Sequence, residues 1–172
     1  MNDVIKNIVE RRSIKKYKSD MVPTELIDEV LKAGTYAPSG QNRQSPIIIA
    51  ITNKEVRDIL SKLNAKIMGV DTDPFYGAPV VIIVLADKTV PTYIYDGSLV
   101  MENMMLVASS LGLGSCWIHR AKEEFETEEG KEILKSLGIT GDYEGIGNCI
   151  LGYPDMEVKE KPRKENYIYK ID

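Results

Sequence analysis

Val80-Val81-Ile82-Ile83-Val84-Leu85 is an unbroken run of six apolar residues, five of them β-branched. β-branched side chains are stiff about χ1 and fit a pleated surface better than a helix. A strand that is apolar at every position has no face to give to water, so it is expected to be fully buried with a layer on each side. The turn residues and two aromatics of MGVDTDPFYG, from Met68 to Gly77, predict an ordered but irregular connection into it.

The neighbouring segments supply those layers. Upstream, Ile47 to Ile51 reads as a second strand, after which Asn53 can cap a helix carrying Val56, Ile59, Leu60 and Leu63 on one side. Downstream, Tyr93 to Leu111 keeps a helical pattern without proline and is too apolar to face water on more than one side, which predicts a central helix. Its Met101, Met104 and Met105 stripe reads as helix packing rather than a substrate box. A Gly-rich stop then leads to the short run Ser115 to Ile118, a charged helix from about Glu123 to Leu137, and a last core strand from Gly145 to Tyr153. Two amphipathic helices open the chain, marked by Val4, Ile5, Ile8 and Val9 and by Leu26, Ile27, Val30 and Leu31 after Pro23. Strands and helices in mixed order predict an α+β or layered α/β/α domain.

At 172 residues one domain, 1–172, is the expectation. With 43% hydrophobic and 28% charged residues and no apolar run long enough to span a bilayer, the composition is that of a soluble protein. The mixed N-terminus, MNDVIKNIVERR, is unlike a signal peptide, so a cytoplasmic location is expected. Cys116 and Cys149 lie in apolar runs and read as buried reduced thiols, without metal-ligand spacing. A net charge of -4 disfavours a general attraction to nucleic acid. Basic residues nevertheless crowd two stretches, Arg11 to Lys18 and Lys159 to Lys164, and each is either part of an anion site or a solvated face. After Pro154 the chain turns charged and loses periodicity until Tyr167-Ile168-Tyr169, which resembles a short extended segment. Such a tail is expected to lie across another surface, a second subunit being one candidate.

The sequence has no P-loop, and Gly145-Ile146-Gly147 lacks the third glycine and following helix of a dinucleotide fingerprint. The one histidine, His119, has no serine elbow or paired cysteine to make a triad. Three other segments remain: Arg11-Arg12-Ser13-Ile14-Lys15 after the first helix, the loop YAPSGQN from Tyr36 to Asn42, and GLGSCWI from Gly112 to Ile118. In this order and over about residues 4 to 165, the set resembles the FMN-dependent nitroreductase family.

That resemblance implies a three-layer α+β fold around a mainly antiparallel sheet, in a homodimer clasped by swapped C-terminal tails (about 154–172), with two FMN sites at the interface. It implies that Arg11, with Lys161 and Arg163, takes the FMN phosphate, a role that suits the guanidinium fork. Lys164 is a further candidate there. Ser13 is assigned to the ribityl chain or phosphate, and Lys15 to N1 and O2 of the ring, where its charge favours the reduced anion. Arg12 is assigned a flavin contact too, at a position where relatives carry His. Pro38, Ser39, Gly40, Gln41 and Asn42 are expected to reach the flavin from the neighbouring subunit. Trp117, Ile118 and His119 correspond to the segment beside N5; His119-Arg120 departs from the Glu or Gly of relatives, as Gln44-Ser45-Pro46 departs from their Gln-Pro-Trp. The His119 side chain either tunes proton delivery, recognises an acceptor or is a hydrogen-bonded bystander.

The implied activity is an NADH- or NADPH-dependent oxidoreductase that reduces nitroaromatic, quinone or similar small organic acceptors by two-step exchange at flavin N5. No catalytic side chain is required beyond tuning by Lys15 or His119. Related flavin chemistry, such as dehalogenation or flavin fragmentation, and non-catalytic FMN binding are the alternatives.

Overall fold

The computed structural model describes residues 1–171; Asp172, the end of the expected domain and tail, lies outside the described residues. The strands are β1 (Pro46–Ile51), β2 (Val80–Asp87), β3 (Gly114–Ile118) and β4 (Tyr143–Gly152). The helices are α1 (Asp3–Glu10), α2 (Thr24–Thr35), α3 (Lys54–Met68), α4 (Tyr93–Ser110), α5 (Ala121–Glu126) and α6 (Glu128–Ser136). The sheet runs β1-β2-β4-β3 with every neighbouring pair antiparallel. β2 therefore sits inside the sheet, as its uniformly apolar sequence requires.

The two-residue period of β2 sorts the core into two halves. Val80, Ile82 and Val84 face α2 and α4, joining Val30, Met101, Met104 and Leu151. Val81, Ile83 and Leu85 face the opposite layer, joining Leu60, Phe75, Phe125 and Ile150. The three-layer α+β architecture expected from the sequence is thus realised, and the methionine stripe of α4 is packing. Cys116 and Cys149 are buried and unpaired.

One expectation needs correction. The single charged helix from Glu123 to Leu137 is two helices. Thr127 adopts extended geometry between them and caps the second by accepting the Gly130 N–H at 3.1 Å. A Thr side chain that satisfies an otherwise orphaned N–H makes a new helix start there. The α3 cap is as read: Asn53 accepts the Val56 N–H at 3.0 Å. That helix also extends to Met68, so the irregular connection begins only at Gly69. Among the described residues the segment Tyr167 to Tyr169 pairs with no strand, and its side chains are exposed.

Candidate functional site

The segment after α1 is held against the sheet edge. Ser13 bridges Ser115 in parallel, and the Ile14 N–H donates to the Ser115 carbonyl at 3.0 Å. Strand-like alternation buries Ile14 and leaves Ser13 and Lys15 exposed beside β3. Ser13 and Lys15 lie in the same cavity wall as the Cys116 thiol. Burial pushes that thiol up, while a Ser13 hydrogen bond and the Lys15 and Arg11 charges oppose the rise.

Ser13 and Lys15 line a cavity of about 380 Å³ together with Cys116, Trp117, Ile118 and His119. The structure therefore gathers five of the sequence-predicted residues, Ser13, Lys15, Trp117, Ile118 and His119, around one space. Trp117 lies against the sheet because Gly147 has no side chain; a Cβ there would run into the indole nitrogen. Arg120 and Tyr76 complete the wall, at φ 81 and φ 53, in the left-handed region that non-glycine residues seldom occupy. The Lys15 ammonium sits 5.6 Å from the Tyr76 ring centroid, within cation–π range.

The connection carrying Tyr76 is pinned by Asp73. Its carboxylate accepts the Phe75 and Gly77 N–H groups at 2.8 Å each, and the Ser61 hydroxyl and Arg57 guanidinium as well. Burial would raise the Asp73 carboxyl, but these hydrogen bonds outweigh it and hold the group below its ordinary value. The irregular segment is thereby an ordered wall.

Arg11 stands apart in one respect: its Nε and Nη1 are buried without a hydrogen-bond partner among the described residues. A desolvated guanidinium without a partner is costly, and such a group is normally matched by an anion. Arg11 lines a second cavity, of about 260 Å³, with Arg12, Gly112, Gly114 and Ser115. Arg12 is used differently: its Nη1 donates to the Val9 and Arg11 carbonyls at 2.6 and 2.9 Å, and its Nη2 lies 3.7 Å from Glu160. Lys161 and Arg163 are exposed and line none of these cavities, although the tail just before them passes close by, with Val158 lining the Arg11 cavity and Glu160 beside Arg12.

The loop Pro38–Asn42 is placed elsewhere. Pro38 and Ser39 line a third cavity, of about 510 Å³, between α2, α4 and β1, which shares no residue with the Ser13–Lys15 cavity. Gly40 to Asn42 form a single 3-10 turn, and Gln41, Asn42 and Gln44 all have positive φ. Buried Asp96 of α4 sustains this geometry by accepting from the Gly40 N–H at 3.0 Å, the Ser45 hydroxyl at 2.8 Å and the Thr92 hydroxyl at 3.0 Å. Residue 40 is glycine because a Cβ there would collide with Thr92. Clustered left-handed residues cost free energy that other contacts must offset, and they concentrate at binding segments.

The sequence does not single out Asp96 or Tyr76: neither sits in a recognisable motif, and Asp96 matters through partners 56 and 51 residues earlier in the chain. Among the described residues no three His, Cys, Asp or Glu side chains group as a metal site, and no helix is long and apolar enough to cross a membrane.

Comparison with known proteins adds three findings. The profile of the nitroreductase family matches residues 8–153. Two archaeal relatives are both described provisionally as NADH dehydrogenase/NAD(P)H nitroreductase. One, from Archaeoglobus fulgidus, is 32% identical over 162 residues, covering 91% of this chain and 88% of the relative. The other, from Methanothermobacter thermautotrophicus, is 34% identical over 124 residues, covering 67% of this chain and 60% of the relative, so the match spans less than two thirds of that protein. Among solved structures, a nitroreductase with bound FMN from Bacteroides fragilis superposes with a TM-score of 0.91 at 28% identity, covering 100% of both chains.

Proposed function

The chain belongs to the nitroreductase family, and on that premise we propose that it is an FMN-dependent oxidoreductase that passes reducing equivalents from NADH or NADPH to a small organic acceptor. The observation that carries the reading is Arg11, whose Nε and Nη1 are buried without a hydrogen-bond partner among the described residues, on the same sheet-edge segment as the Ser13 and Lys15 that line the neighbouring cavity. A phosphate monoester with a hydroxylated chain and a flat ring is the ligand that such a set fits. Bound FMN supplies two-electron chemistry at its ring, with hydride accepted from the nicotinamide and passed to the acceptor.

The chain's own residues then bind, orient and exclude. Arg11 grips the phosphate through parallel charge-assisted hydrogen bonds, with Lys161 and Arg163 as further cations once the tail is docked. Ser13 holds the ribityl hydroxyls. Lys15, steadied by the Tyr76 ring, would set a positive charge at the cavity wall and would stabilise negative charge on a bound ring. Trp117, Ile118 and His119 wall the ring and limit water, and no side-chain nucleophile is required.

We further propose that the working unit is a homodimer. Pro38 and Ser39 line a different cavity from Ser13 and Lys15, and in the proposed dimer their loop meets the flavin of a second copy. Supporting this, α1 buries no residue, with Val4 66% and Ile8 52% exposed, and the tail leaves Ile168 78% exposed. Apolar surface of this extent marks an interaction face. Acceptors with a nitroaromatic or quinone group suit an open cavity of this size, and we assign the protein to the cytoplasm, where both reduced nicotinamides are made.

The test is a visible spectrum of the purified protein titrated with FMN, then with NADH or NADPH without oxygen, then with a nitroaromatic or quinone. Yellow protein that bleaches with the nicotinamide and recolours with the acceptor is the expected result. Protein that stays colourless with FMN overturns the reading, and yellow protein that never bleaches reduces it to flavin binding.

A further inference from the structure

Behind the wall formed by Ile118, His119 and Arg120 lies a closed polar cluster that the proposed chemistry does not call on. Glu124 of α5 is fully buried, as are Asn64 of α3 and Asn148 of β4. Glu124 Oε1 accepts Asn64 Nδ2 at 2.8 Å, and Oε2 accepts Asn148 Nδ2 at 2.7 Å. The same Asn64 nitrogen also donates to the His119 carbonyl at 2.8 Å. Asn148 stands directly opposite Ile118 in the β3–β4 ladder, so three elements meet behind the cavity wall.

The orientation of Asn64 is fixed by its two acceptors. Turning its amide over would point Oδ1 at a carboxylate oxygen and a carbonyl together, losing two hydrogen bonds and adding two repulsions. The His119 carbonyl is consequently drawn toward α3. Because the peptide is planar and trans, the Arg120 N–H points the opposite way. That N–H has no hydrogen-bond partner among the described residues, and both His119 and Arg120 line the cavity. Arg120 is held at φ 81, in the left-handed region that strains a non-glycine residue. Such strain persists only where the surroundings over-determine it.

We propose that Asn64 and Glu124 are positioning residues that fix the His119–Arg120 peptide so that its N–H is presented to the cavity as a donor for the cofactor. The proposal rests on the FMN reading for the identity of the ligand but not for the geometry of the peptide. The cluster is built to keep this hold in either charge state of Glu124. When Glu124 is ionised, both amides donate to it. With a proton on Oε2, Asn148 can turn over and accept through Oδ1, which is buried and unpartnered, leaving Asn64 in place. Burial pushes the Glu124 carboxyl up to about 7, with hydrogen bonds from Asn148 and Asn64 opposing, Glu123 adding to the rise and Arg120 reducing it. From α3 and β4 the groups that face it are the two amides.

The test compares N64L, which keeps volume but loses the amide, E124M, which loses both acceptors, and E124Q, which retains one acceptor toward Asn64 and a donor toward a turned Asn148. Two readouts are made: the Arg120 amide signal and the backbone order parameters of His119 and Arg120 by NMR on flavin-free protein, and FMN affinity by fluorescence quenching. In the wild type both residues should be as rigid as a strand, with order parameters of about 0.85. E124Q should keep the signal and hold FMN affinity within about twofold, whereas N64L and E124M should shift the signal and weaken FMN about tenfold, the effect of one misdirected hydrogen bond.

Wild-type order parameters below about 0.6 overturn the proposal, as does N64L matching the wild type or E124Q failing as E124M does. If N64L and E124M do not fold, the wild-type order parameters and the E124Q comparison decide. If the wild type binds no FMN, the flavin reading fails while the NMR arm still tests the positioning.

Discussion

Asp96 Oδ1 accepts the Gly40 N–H at 3.0 Å, tying the first turn of α4 to a loop 56 residues earlier in the chain. The other carboxylate oxygen takes the Ser45 and Thr92 hydroxyls, so one buried side chain serves three donors on the loop and helix. Replacing it strands all of them. Asp96→Ala should destabilise the chain by about 2–4 kcal/mol, the range for unsatisfied buried partners of a charged group. Urea unfolding measures the loss, and unchanged stability would show that the loop holds itself.

Arg11→Ala tests the anion site separately from the fold. Removing a charge-assisted fork should weaken FMN by about 1.5–3 kcal/mol, or roughly ten- to hundredfold. Because the guanidinium has buried atoms without partners, its removal should leave the unfolding midpoint of the flavin-free protein unchanged or higher. A drop in that midpoint with no change in FMN affinity would make Arg11 structural.

The apolar face of α1 gives a third prediction. Ile8→Asp places a charge on a side chain that is 52% exposed in one chain and, in the proposed dimer, covered. Sedimentation should show monomers together with loss of FMN binding. A variant that stays dimeric and yellow would move the interface elsewhere.

Glu124 sets a pH dependence of known sign. Its carboxyl has an ordinary value of 4.5 and is pushed up to about 7 in the fold, chiefly by burial. Between those values the folded state holds a proton that the unfolded chain has released. Stability from this group is therefore full below about 4.5 and is lost as pH rises through about 7, amounting to about 3 kcal/mol at 1.36 kcal/mol per unit. Glu124→Gln abolishes the titration, so its melting temperature should gain on the wild type between pH 5 and pH 8. A constant difference across that window would mean Glu124 titrates as an ordinary carboxylate.

Much of this was legible in the sequence, for physical reasons. The run from Val80 to Leu85 specified a strand buried on both faces because β-branched residues without a polar alternation have no other stable placement, and the sheet follows from it. The break at Thr127 was hidden because a helix pattern continues through it, and only the capping hydrogen bond shows the restart. At the site, Ser13, Lys15, Trp117, Ile118 and His119 could be named because local motifs carry them. Asp96, Asn64 and Glu124 could not, since their importance lies in hydrogen bonds across 24 to 60 residues of chain. Whether Arg11, Lys161 and Arg163 share a ligand was equally beyond local pattern, because the tail bearing the last two is exposed in a single chain.

The separation of Ser39 from Lys15 into different cavities carries a genetic corollary if the flavin lies between two copies. A chain damaged at Arg11 and another damaged in the Pro38–Asn42 loop, each inactive alone, would pair into mixed dimers in which one site collects both lesions and the other none. Co-expressed, such alleles should complement each other, each mixed dimer regaining roughly half the activity of a wild-type dimer, whereas two alleles damaged on the same side of the divide should not.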